Sequence, residues 1–399
     1  MTIVIINDFA HVNGGASQVA IENALSLYKL GHQVIFFTAV TPIDKRLQSS
    51  GVKIICTQQP ECLHYENKLW GAVTGVWNRK AYRLLTQLLQ KLDPHKTIVH
   101  VHIWIKALSA SVFKAIAENH FRMVITAHDY FLACPNGGFY NYHKQQICKY
   151  HALSLRCIFT NCDKRNFAQK LYRVLRQYIQ TQMIAGNQLN LVFVSHFSEE
   201  ILRHQIRCPY RGKIIYNPIQ PIARMESNNC RKEYYVYLGR LSPEKGADLF
   251  CEAIYRLGLK GILIGDGEAG EVLKSKYKNY PNLFFAGWLA HDDMEKFFQK
   301  CKALIVPSRL YETAVLTIPE VQTNYDIPVI VGDQCAGREF MKKGILFQSG
   351  NLQSLIYAVK NFEENRKTEA CQEKFKTDFV RNSSVTALVQ LYKKILMGL

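Results

Sequence analysis

Short apolar segments alternate with helix-forming segments along most of the chain, and this alternation restricts the available folds more than any other feature. The first series opens with a strand at residues 3–6, a glycine-containing loop at 7–15, a helix at 16–30 and a strand at 33–39. Strands that alternate with helices predict parallel sheets covered by helices on both faces. The sequence therefore predicts an α/β protein with doubly wound, Rossmann-like sheets.

The alternation occurs in two series separated by a polar stretch, Pro218–Glu233. Further strands of the first series are expected at residues 52–56, 98–102, 123–127, 191–194 and 213–216, with helices at 79–91 and 107–119. Strands of the second series are expected at residues 234–238, 261–264, 283–286, 303–307 and 327–332. A chain of 399 residues suits two domains. We place them at residues 1–217 and 218–383, with a last helix, within 384–399, that packs back on the first domain.

Composition points to an ordinary globular protein, with 48% hydrophobic and 21% charged residues. The first residues lack the basic segment of a signal peptide, and no apolar run reaches the ~20 residues that span a bilayer. Twelve cysteines in such a chain predict reduced thiols. We therefore expect a cytoplasmic protein.

The net charge of +18 is unevenly distributed. Residues 1–220 carry 25 Lys/Arg and 11 Asp/Glu, whereas residues 221–399 carry 25 and 21. A basic first half predicts an acidic partner, such as an anionic membrane, a phosphorylated substrate or a nucleic acid. A solubilising surface charge is the alternative.

Two carboxylates, Glu312 and Glu320, are separated by seven residues and lie between two apolar segments. A chain that leaves a parallel strand and enters a helix presents backbone N–H groups, which favour an anion such as a diphosphate. If both carboxylates lie on that helix, eight positions span ~12 Å, about the length of a sugar–diphosphate–ribose unit. This pattern resembles the donor site of the retaining family-four glycosyltransferases. Two solvated helix positions are the alternative interpretation.

The segment GRLSPEKG at Gly239–Gly246 forms a basic turn after a strand. A guanidinium such as Arg240 can hold phosphate oxygens with paired donors, and Lys245 adds a point charge. Together they could neutralise a leaving diphosphate without a metal ion. The segment matches the donor motif of the same family, in which these two residues contact the diphosphate.

The resemblance extends over nearly the whole chain and implies the GT-B architecture, in which two Rossmann-like domains face each other across a cleft. It implies a sugar next to Glu312 and a ribose at Glu320. The remaining donor-binding residues that it implies are Gly14 and Gly15 in NGGASQVA, Gly265, Gly267 and Glu268 in GDGE, Trp288 in FAGWL, and the amides of Thr313, Ala314, Val315 and Leu316.

The chain departs from the family pattern around both carboxylates. It has Thr-Ala-Val after Glu312 and Pro-Glu-Val around Glu320. Pro319 removes one backbone donor from the start of the helix. The departure puts the diphosphate contacts in doubt more than the two carboxylates.

A histidine and an aspartate end the strand predicted at 123–127, in the segment TAHDYFLACP. The segment resembles the His-Asp segment of related enzymes, whose histidine lies at the donor sugar or near the reacting centre. We therefore predict His128 as catalytic, with Asp129 and Tyr130 on the acceptor side. Asp129 could orient His128 or accept a proton from an acceptor hydroxyl.

Four cysteines follow within 29 positions: Cys134, Cys148, Cys157 and Cys162. Thiolates at these positions could hold a structural Zn²⁺. Their spacing is irregular and contains no C-x2-C pair, so free thiols are the alternative.

Two basic amphipathic segments, residues 77–91 and 164–183, suit a membrane surface. Core helices of a doubly wound domain explain them equally well. Because the first domain of a GT-B enzyme holds the acceptor, the resemblance fits a glycan or lipid-linked acceptor at the inner face of the plasma membrane.

The resulting hypothesis is a retaining glycosyltransferase that moves a hexose from a UDP- or GDP-sugar to a glycan or lipid-linked acceptor, in cell-surface polysaccharide biosynthesis. We expect front-face attack assisted by the leaving phosphate, no cofactor besides the donor, and no nucleic-acid partner. The alternatives are a sugar-nucleotide epimerase, a sugar phosphorylase, and a degenerate protein that holds a membrane or nucleic acid without catalysis.

Overall fold

The computed structural model describes residues 1–219, 232–365, 369–370 and 381–398. The chain forms two compact units. Unit 1 comprises Met1–Gly137, Tyr150–Pro218 and Arg381–Leu399, and unit 2 comprises Gly138–Lys149 and Ile219–Val380. Most of the polar stretch predicted at 218–233 lies outside the described residues.

The first half of the chain contains nine strands and eight helices among its described residues. These are β1 Thr2–Phe9, α1 Gly15–Lys29, β2 Gln33–Val40, α2 Lys45–Gln48, β3 Lys53–Cys56, α3 Lys68–Val76, α4 Arg79–Leu89, β4 Thr97–Ile103, α5 Ser111–Glu118, β5 Arg122–Ala127, β6 Tyr140–Asn141, β7 Gln146–Ile147, α6 Leu155–Phe159, α7 Phe167–Ile184, β8 Leu189–Phe193, α8 His196–Arg203 and β9 Tyr210–Ile214.

The second half continues the same alternation. Its elements are β10 Tyr234–Leu238, α9 Ala247–Arg256, β11 Gly261–Ile264, α10 Gly270–Lys276, β12 Leu283–Gly287, α11 His291–Gln299, β13 Cys301–Val306, α12 Thr317–Tyr325, β14 Val329–Gly332, β15 Lys343–Phe347, α13 Leu352–Asn365, β16 Glu369–Ala370 and α14 Arg381–Leu396, with 3₁₀ turns at Pro243–Lys245 and Ala336–Phe340.

Unit 1 is built on a seven-stranded parallel sheet in the order β3-β2-β1-β4-β5-β8-β9. The central strand β1 is buried from Ile3 to Phe9, and its apolar run at residues 3–6 is typical of a strand covered on both faces. Helix α1 begins after Gly14, whose φ of +87° suits glycine. The fold and this βαβ opening follow the sequence prediction.

The helix predicted from residue 107 begins four residues later, at Ser111. The buried Asp8 carboxylate accepts hydrogen bonds from the backbone N–H groups of residues 106, 107 and 108, over 2.7, 3.1 and 2.8 Å. These amides are held in a turn by a distant carboxylate, so they do not start the helix.

Helix α14 returns to unit 1 from the far end of the sequence. Its buried side chains pack in the same core cluster as Ile3 and Ile5: Val385, Leu388, Tyr392 and Ile395. The Tyr392 hydroxyl lies 2.6 Å from Nδ1 of His100 on β4. Packing and a buried hydrogen bond therefore tie this helix to the sheet.

Unit 2 contains a second seven-stranded sheet, in the order β12-β11-β10-β13-β14-β15-β16. Its neighbouring strands are parallel except for the terminal pair, β15 and β16. Residues 138–149, which contain the antiparallel pair β6 and β7, belong to this unit. The predicted first domain of residues 1–217 included this segment, and the prediction was wrong there, because the segment packs with the second sheet.

No helix in the described part of the chain is long and apolar enough to cross a bilayer.

Candidate active site

The turn after β10 is shaped by glycine. Gly246 has a φ of +74°, and a Cβ atom there would lie 2.0 Å from the carbonyl oxygen of Pro307. The positive φ and the close approach of the Pro307 carbonyl therefore both require glycine at this position. The turn places Lys245 at the end of the 3₁₀ segment Pro243–Lys245 and leaves the Arg240 side chain exposed. Both predicted cations thus lie at the carboxyl edge of the sheet.

Lys245 and Glu312 form an ion pair in which Nζ lies 2.6 Å from Oε1. The same carboxylate oxygen accepts a hydrogen bond of 2.7 Å from the Ser308 hydroxyl. The backbone of Glu312 is fixed by a parallel bridge to Cys335 and by a hydrogen bond from the N–H of Ala336. The structure therefore unites the two motifs predicted to contact the donor.

Arg309 connects the same two loops and was not predicted from the sequence. Its guanidinium donates to both carboxylate oxygens of Asp248, over 2.6 and 2.7 Å, and to the carbonyl of Pro243. Its backbone N–H donates to the carbonyl of Glu244. A bidentate pair of this kind orders the basic turn against the loop that carries Glu312. No local motif marks this residue, because its partner lies 61 positions away.

The GDGE loop packs directly on the basic turn. A Cβ atom at Gly265 would lie 2.1 Å from the carbonyl oxygen of Gly239, and one at Gly267 would lie 2.3 Å from that of Leu241. The glycines therefore allow two loops to meet backbone to backbone. Glu268 is exposed at the end of this loop.

Asp266 links the GDGE loop to the end of β12. Its Oδ2 accepts a hydrogen bond of 3.0 Å from the backbone N–H of Trp288, and the indole of Trp288 is 73% exposed. The arrangement offers an aromatic surface beside the glycine loop, which suits contact with the planar ring of a base.

Glu312 and Glu320 do not lie on one helix, so the spacing argument for a common helix was wrong. Helix α12 begins at Thr317, and residues 313–316 form the segment before it. Pro319 is the third residue of the helix, where its missing N–H costs no helical hydrogen bond. Glu320 lies in the first turn and Glu312 five residues before the helix.

The Glu320 carboxyl group is largely buried, and burial raises its pKa to about 7. An uncompensated carboxylate in such a position gains most from neutral hydroxyl donors that satisfy its oxygens. This chemistry agrees with the ribose contact that the resemblance implied.

In unit 1, the site residues implied by the resemblance lie at strand ends. Gly14 and Gly15 follow β1, and the space around a Cβ at Gly14 is open. His128 follows β5, and its Nε2 lies 2.8 Å from Nδ1 of His102 on β4. Burial lowers the pKa of His128 to about 3 and that of His102 well below the usual 6.5, so both rings are neutral at neutral pH.

The two residues predicted on the acceptor side differ in exposure. Asp129 is partly exposed; burial raises the pKa of its carboxyl group to about 6, and Oδ1 accepts from the N–H of Phe131. Tyr130 is only 1% exposed and lies in the core of unit 1. Its prediction as an acceptor contact was wrong, because the residue directs its ring into the protein interior.

The four cysteines proposed as a zinc site are divided between the two units. Cys148 belongs to unit 2, whereas Cys134, Cys157 and Cys162 belong to unit 1. Within the described residues, no three His, Cys, Asp or Glu side chains are placed to hold a metal ion. The buried Lys170 ammonium lies 3.4 Å from Sγ of Cys157 and also interacts with Cys162. An ammonium group of the protein itself therefore lies next to these two thiols.

Two Rossmann-like units, with a basic glycine turn and a paired carboxylate at the strand ends of the second, define a glycosyltransferase of the GT-B class. Two family profiles match the chain. The profile for Glycosyltransferase Family 4 covers residues 13–221, and the profile for Glycosyl transferases group 1 covers residues 221–378. The chain belongs to Glycosyltransferase Family 4, and its second half matches the group 1 profile.

Two related proteins match the chain at low sequence identity. O-antigen chain mannosyltransferase C of Escherichia coli is 24% identical over 175 residues, which are 41% of this chain and 47% of that protein. This match therefore spans about half the length of the mannosyltransferase. An uncharacterised 42.6 kDa protein of the cps region of Klebsiella pneumoniae is 22% identical over 330 residues, 78% of this chain and 80% of that protein.

Solved structures share the fold. Anabaena HepE, solved in complex with UDP and glucose, superposes with a TM-score of 0.64 at 14% identity, over 98% of this chain and 99% of that one. The lipopolysaccharide outer core galactosyltransferase WaaB superposes with a TM-score of 0.63 at 15% identity, over 99% and 100% of the two chains. At these identities the likeness concerns the fold.

Proposed function

We propose that this protein transfers a hexose from a UDP- or GDP-sugar to a glycan or lipid-linked acceptor in cell-surface polysaccharide biosynthesis, with retention of anomeric configuration. The observation that carries the proposal is the Lys245–Glu312 pair beside the exposed Arg240 at the carboxyl edge of the second sheet. Ligands of open α/β sheets bind at that edge. The UDP and glucose bound to HepE and the named activities of WaaB and the mannosyltransferase support this substrate class.

Arg240 and Lys245 stabilise the departing diphosphate in the proposed reaction. The bond from the anomeric carbon to the phosphate oxygen breaks, and the acceptor oxygen bonds to that carbon on the same face. The acceptor hydroxyl passes its proton to the leaving phosphate oxygen. Negative charge grows on the diphosphate as the bond breaks, so fixed cations there stabilise the transition state more than the ground state.

The two carboxylates bind different parts of the donor. Glu312, held by Lys245 and Ser308, contacts the sugar, and Glu320 accepts hydrogen bonds from the ribose hydroxyls. His128 contributes a neutral ring at the sugar, oriented by its hydrogen bond to His102. A neutral imidazole can donate or accept a hydrogen bond without placing a further charge near the reacting carbon.

The proposal is tested by thermal stabilisation of the purified protein with UDP-, GDP-, ADP- and dTDP-sugars. A ligand that binds only the folded protein raises its melting temperature by mass action. We expect a selective rise with one sugar nucleotide that is lost in Arg240→Ala and kept in Arg256→Ala, a control in which an exposed arginine paired with Glu252 is removed. A well-folded protein that responds to none of the four would overturn the proposal and favour a non-catalytic binding protein.

The membrane association that we propose for unit 1 rests on an exposed apolar face. Helices α3 and α6 both contact α7. Large apolar side chains that are 38–78% exposed lie on these three helices: Leu69, Trp70, Val73, Leu155, Phe159, Phe167, Leu171, Leu175 and Tyr178. We call this set the apolar face of unit 1. Contiguous exposed apolar groups of this kind mark interaction surfaces.

The charge around the apolar face favours an anionic membrane as its partner. Residues 150–184 contain six Lys/Arg and one Asp/Glu. Lys164 and Arg165, just before α7, and Lys68, at the start of α3, are exposed. Apolar side chains flanked by cations suit the headgroup region of an anionic leaflet. We therefore place the protein at the inner face of the plasma membrane, where a lipid-linked acceptor would be available.

A further inference from the structure

Unit 2 contains a cavity of about 660 Å³ that none of the sequence motifs describes. The loop that holds Glu312 also supplies two of its wall residues, Arg309 and Tyr311. The cavity therefore adjoins the candidate donor site through a shared loop. Its volume lies within the ~300–1,000 Å³ usual for ligand pockets.

Primary amides dominate the lining of this cavity. Six of its lining residues are amides: Gln145, Gln146, Gln334, Gln348, Asn351 and Gln353. The first two come from residues 138–149, the segment that the first half of the chain contributes to unit 2. We call this site the amide-lined cavity. Asn351 donates to Gln348 and accepts from the N–H of Ser354, so it is already engaged within the wall. An amide side chain carries two N–H donors and a carbonyl acceptor, so the remaining amide groups match ligands that both donate and accept.

The charge of the amide-lined cavity is close to balanced. The Arg309 guanidinium is held by the Asp248 carboxylate, which neutralises it locally. The other charged lining residues are Lys149 and Asp333, one of each sign. A site for a diphosphate or a nucleic acid would need a clear excess of cations. The chemistry therefore favours a neutral ligand.

The cavity is ordered before any ligand arrives. The Ser349 hydroxyl accepts a hydrogen bond of 3.0 Å from the N–H of Gln334, and the N–H of Ser349 donates to Asp333 over 2.9 Å. A Cβ atom at Gly332 would lie 2.3 Å from the same hydroxyl oxygen, so glycine makes this bond possible. The loops after β14 and β15 thus form one connected wall.

We propose that the amide-lined cavity binds a neutral oligosaccharide, at a glycan site separate from the acceptor side predicted in the first domain. Sugar hydroxyls donate and accept in equal measure, as the amides do, and sugar C–H faces can pack on Tyr311, Ile147 and Leu352, which also line the cavity. The shared loop brings such a glycan close to Glu312. Glycan binding at this cavity does not rest on the proposed transferase function.

The test measures binding of the full chain to an array of immobilised bacterial oligosaccharides, both neutral and acidic. The first variant combines Gln146→Leu and Gln334→Leu. The second, independent variant is Gln353→Leu, at an exposed position of α13. Asn279→Leu is the matched control, because it removes an exposed amide of the same unit outside the cavity. Stabilisation by the sugar nucleotide is measured in parallel to verify folding and donor binding.

We expect the wild-type protein to bind neutral glycans and the cavity variants to bind them at least tenfold more weakly, with donor stabilisation unchanged and the control unaffected. Binding of acidic glycans only, binding that survives both variants, or no binding to any glycan by a folded protein would overturn the proposal. Glycan binding through the cavity without any donor stabilisation would instead overturn the transferase function and leave the glycan site standing.

Discussion

Nζ of Lys245 lies 2.6 Å from Oε1 of Glu312, across 67 positions of sequence. The pair is partly accessible, with the lysine side chain 31% and the glutamate side chain 13% exposed. Solvent screening keeps the stabilisation from such a pair to about 1 kcal/mol or less. An incoming diphosphate can therefore recruit the lysine at small energetic cost, because the existing partner is held weakly.

Removal of the lysine charge should abolish transfer with little effect on folding. We expect Lys245→Ala to lower kcat by about 10²–10³-fold, as loss of one transition-state donor does. Its melting temperature should stay close to that of the wild type, because the ion pair contributes little to stability. Glu312→Ala should likewise abolish transfer, and Lys274→Ala, which breaks an exposed pair with Glu271, is the control. Wild-type turnover in both site variants would refute these roles.

Donor affinity should rise with pH because of Glu320. The ribose hydroxyls need the ionised carboxylate, but the pKa of the free site is about 7. Binding at pH 6 must therefore displace a proton, and we expect Kd to be about tenfold higher at pH 6 than at pH 8. Calorimetric titrations with the donor at both pH values measure this. The same dependence in Glu320→Gln would show that another group is responsible.

Glu320 should also affect the stability of the ligand-free protein. Its folded-state pKa is raised above the ordinary 4.5, so its contribution to folding is complete below pH 4.5 and is lost as pH rises through about 7. We expect the free energy of unfolding of Glu320→Gln to increase relative to that of the wild type as pH rises from 4.5 to 8. Denaturant unfolding at the two pH values measures the change, and a constant difference would contradict it.

Acid should destabilise unit 1 through its three buried histidines. Burial lowers the pKa of His100 and of His128 to about 3, and that of His102 well below 6.5. The unfolded chain gains protons below pH 6.5 that the folded chain does not, so stability falls as pH falls, by about 1.4 kcal/mol per pH unit for each histidine. Urea unfolding at pH 6 and pH 5 should give a smaller decrease in His100→Gln than in the wild type. Equal decreases would exclude His100 from this effect.

Membrane binding should depend on the apolar face of unit 1. We expect the double variant Leu171→Ser and Leu175→Ser to bind vesicles of phosphatidylcholine and phosphatidylglycerol about thirtyfold more weakly, since partial burial of each leucine contributes about 1 kcal/mol. Leu30→Ser removes a leucine that is 55% exposed directly after α1 and should leave binding unchanged. Sedimentation with the vesicles measures both, and equal binding by the double variant and the wild type would contradict the assignment.

The cysteines of unit 1 should need no metal ion, because Lys170 lies among them. We expect EDTA to leave the melting temperature unchanged. Lys170→Ala should lower the free energy of unfolding by about 2–4 kcal/mol, because it removes a side chain that is only 1% exposed and leaves a void. A fall in melting temperature on chelation, restored by Zn²⁺, would contradict this account.

The sheets could be predicted from the sequence because their strands are buried on both faces and appear as apolar runs. Strands β10 and β11 have the predicted bounds, and α1 lies within one residue of its prediction. The start of α12 could not be predicted in the same way. Spacing between two glutamates does not show where helical geometry begins, and Pro319 allows the helix to start late.

Contacts between distant parts of the sequence account for what the sequence could not predict. Arg309 and Asp248, 61 positions apart, and the packing of residues 138–149 on the second sheet have no local signature. The cysteine segment shows the same limit of sequence reasoning, because Cys148 belongs to unit 2 and the other three cysteines to unit 1.

The position of α14 has a consequence for how the protein is made. The core around Ile3, Ile5 and His100 is completed by side chains of residues 385–395, which the ribosome adds only after all of unit 2. Unit 2 can therefore close its own core during translation, while the unit that begins the chain waits for almost the last helix. The unit that is synthesised first is therefore the one whose core is completed last.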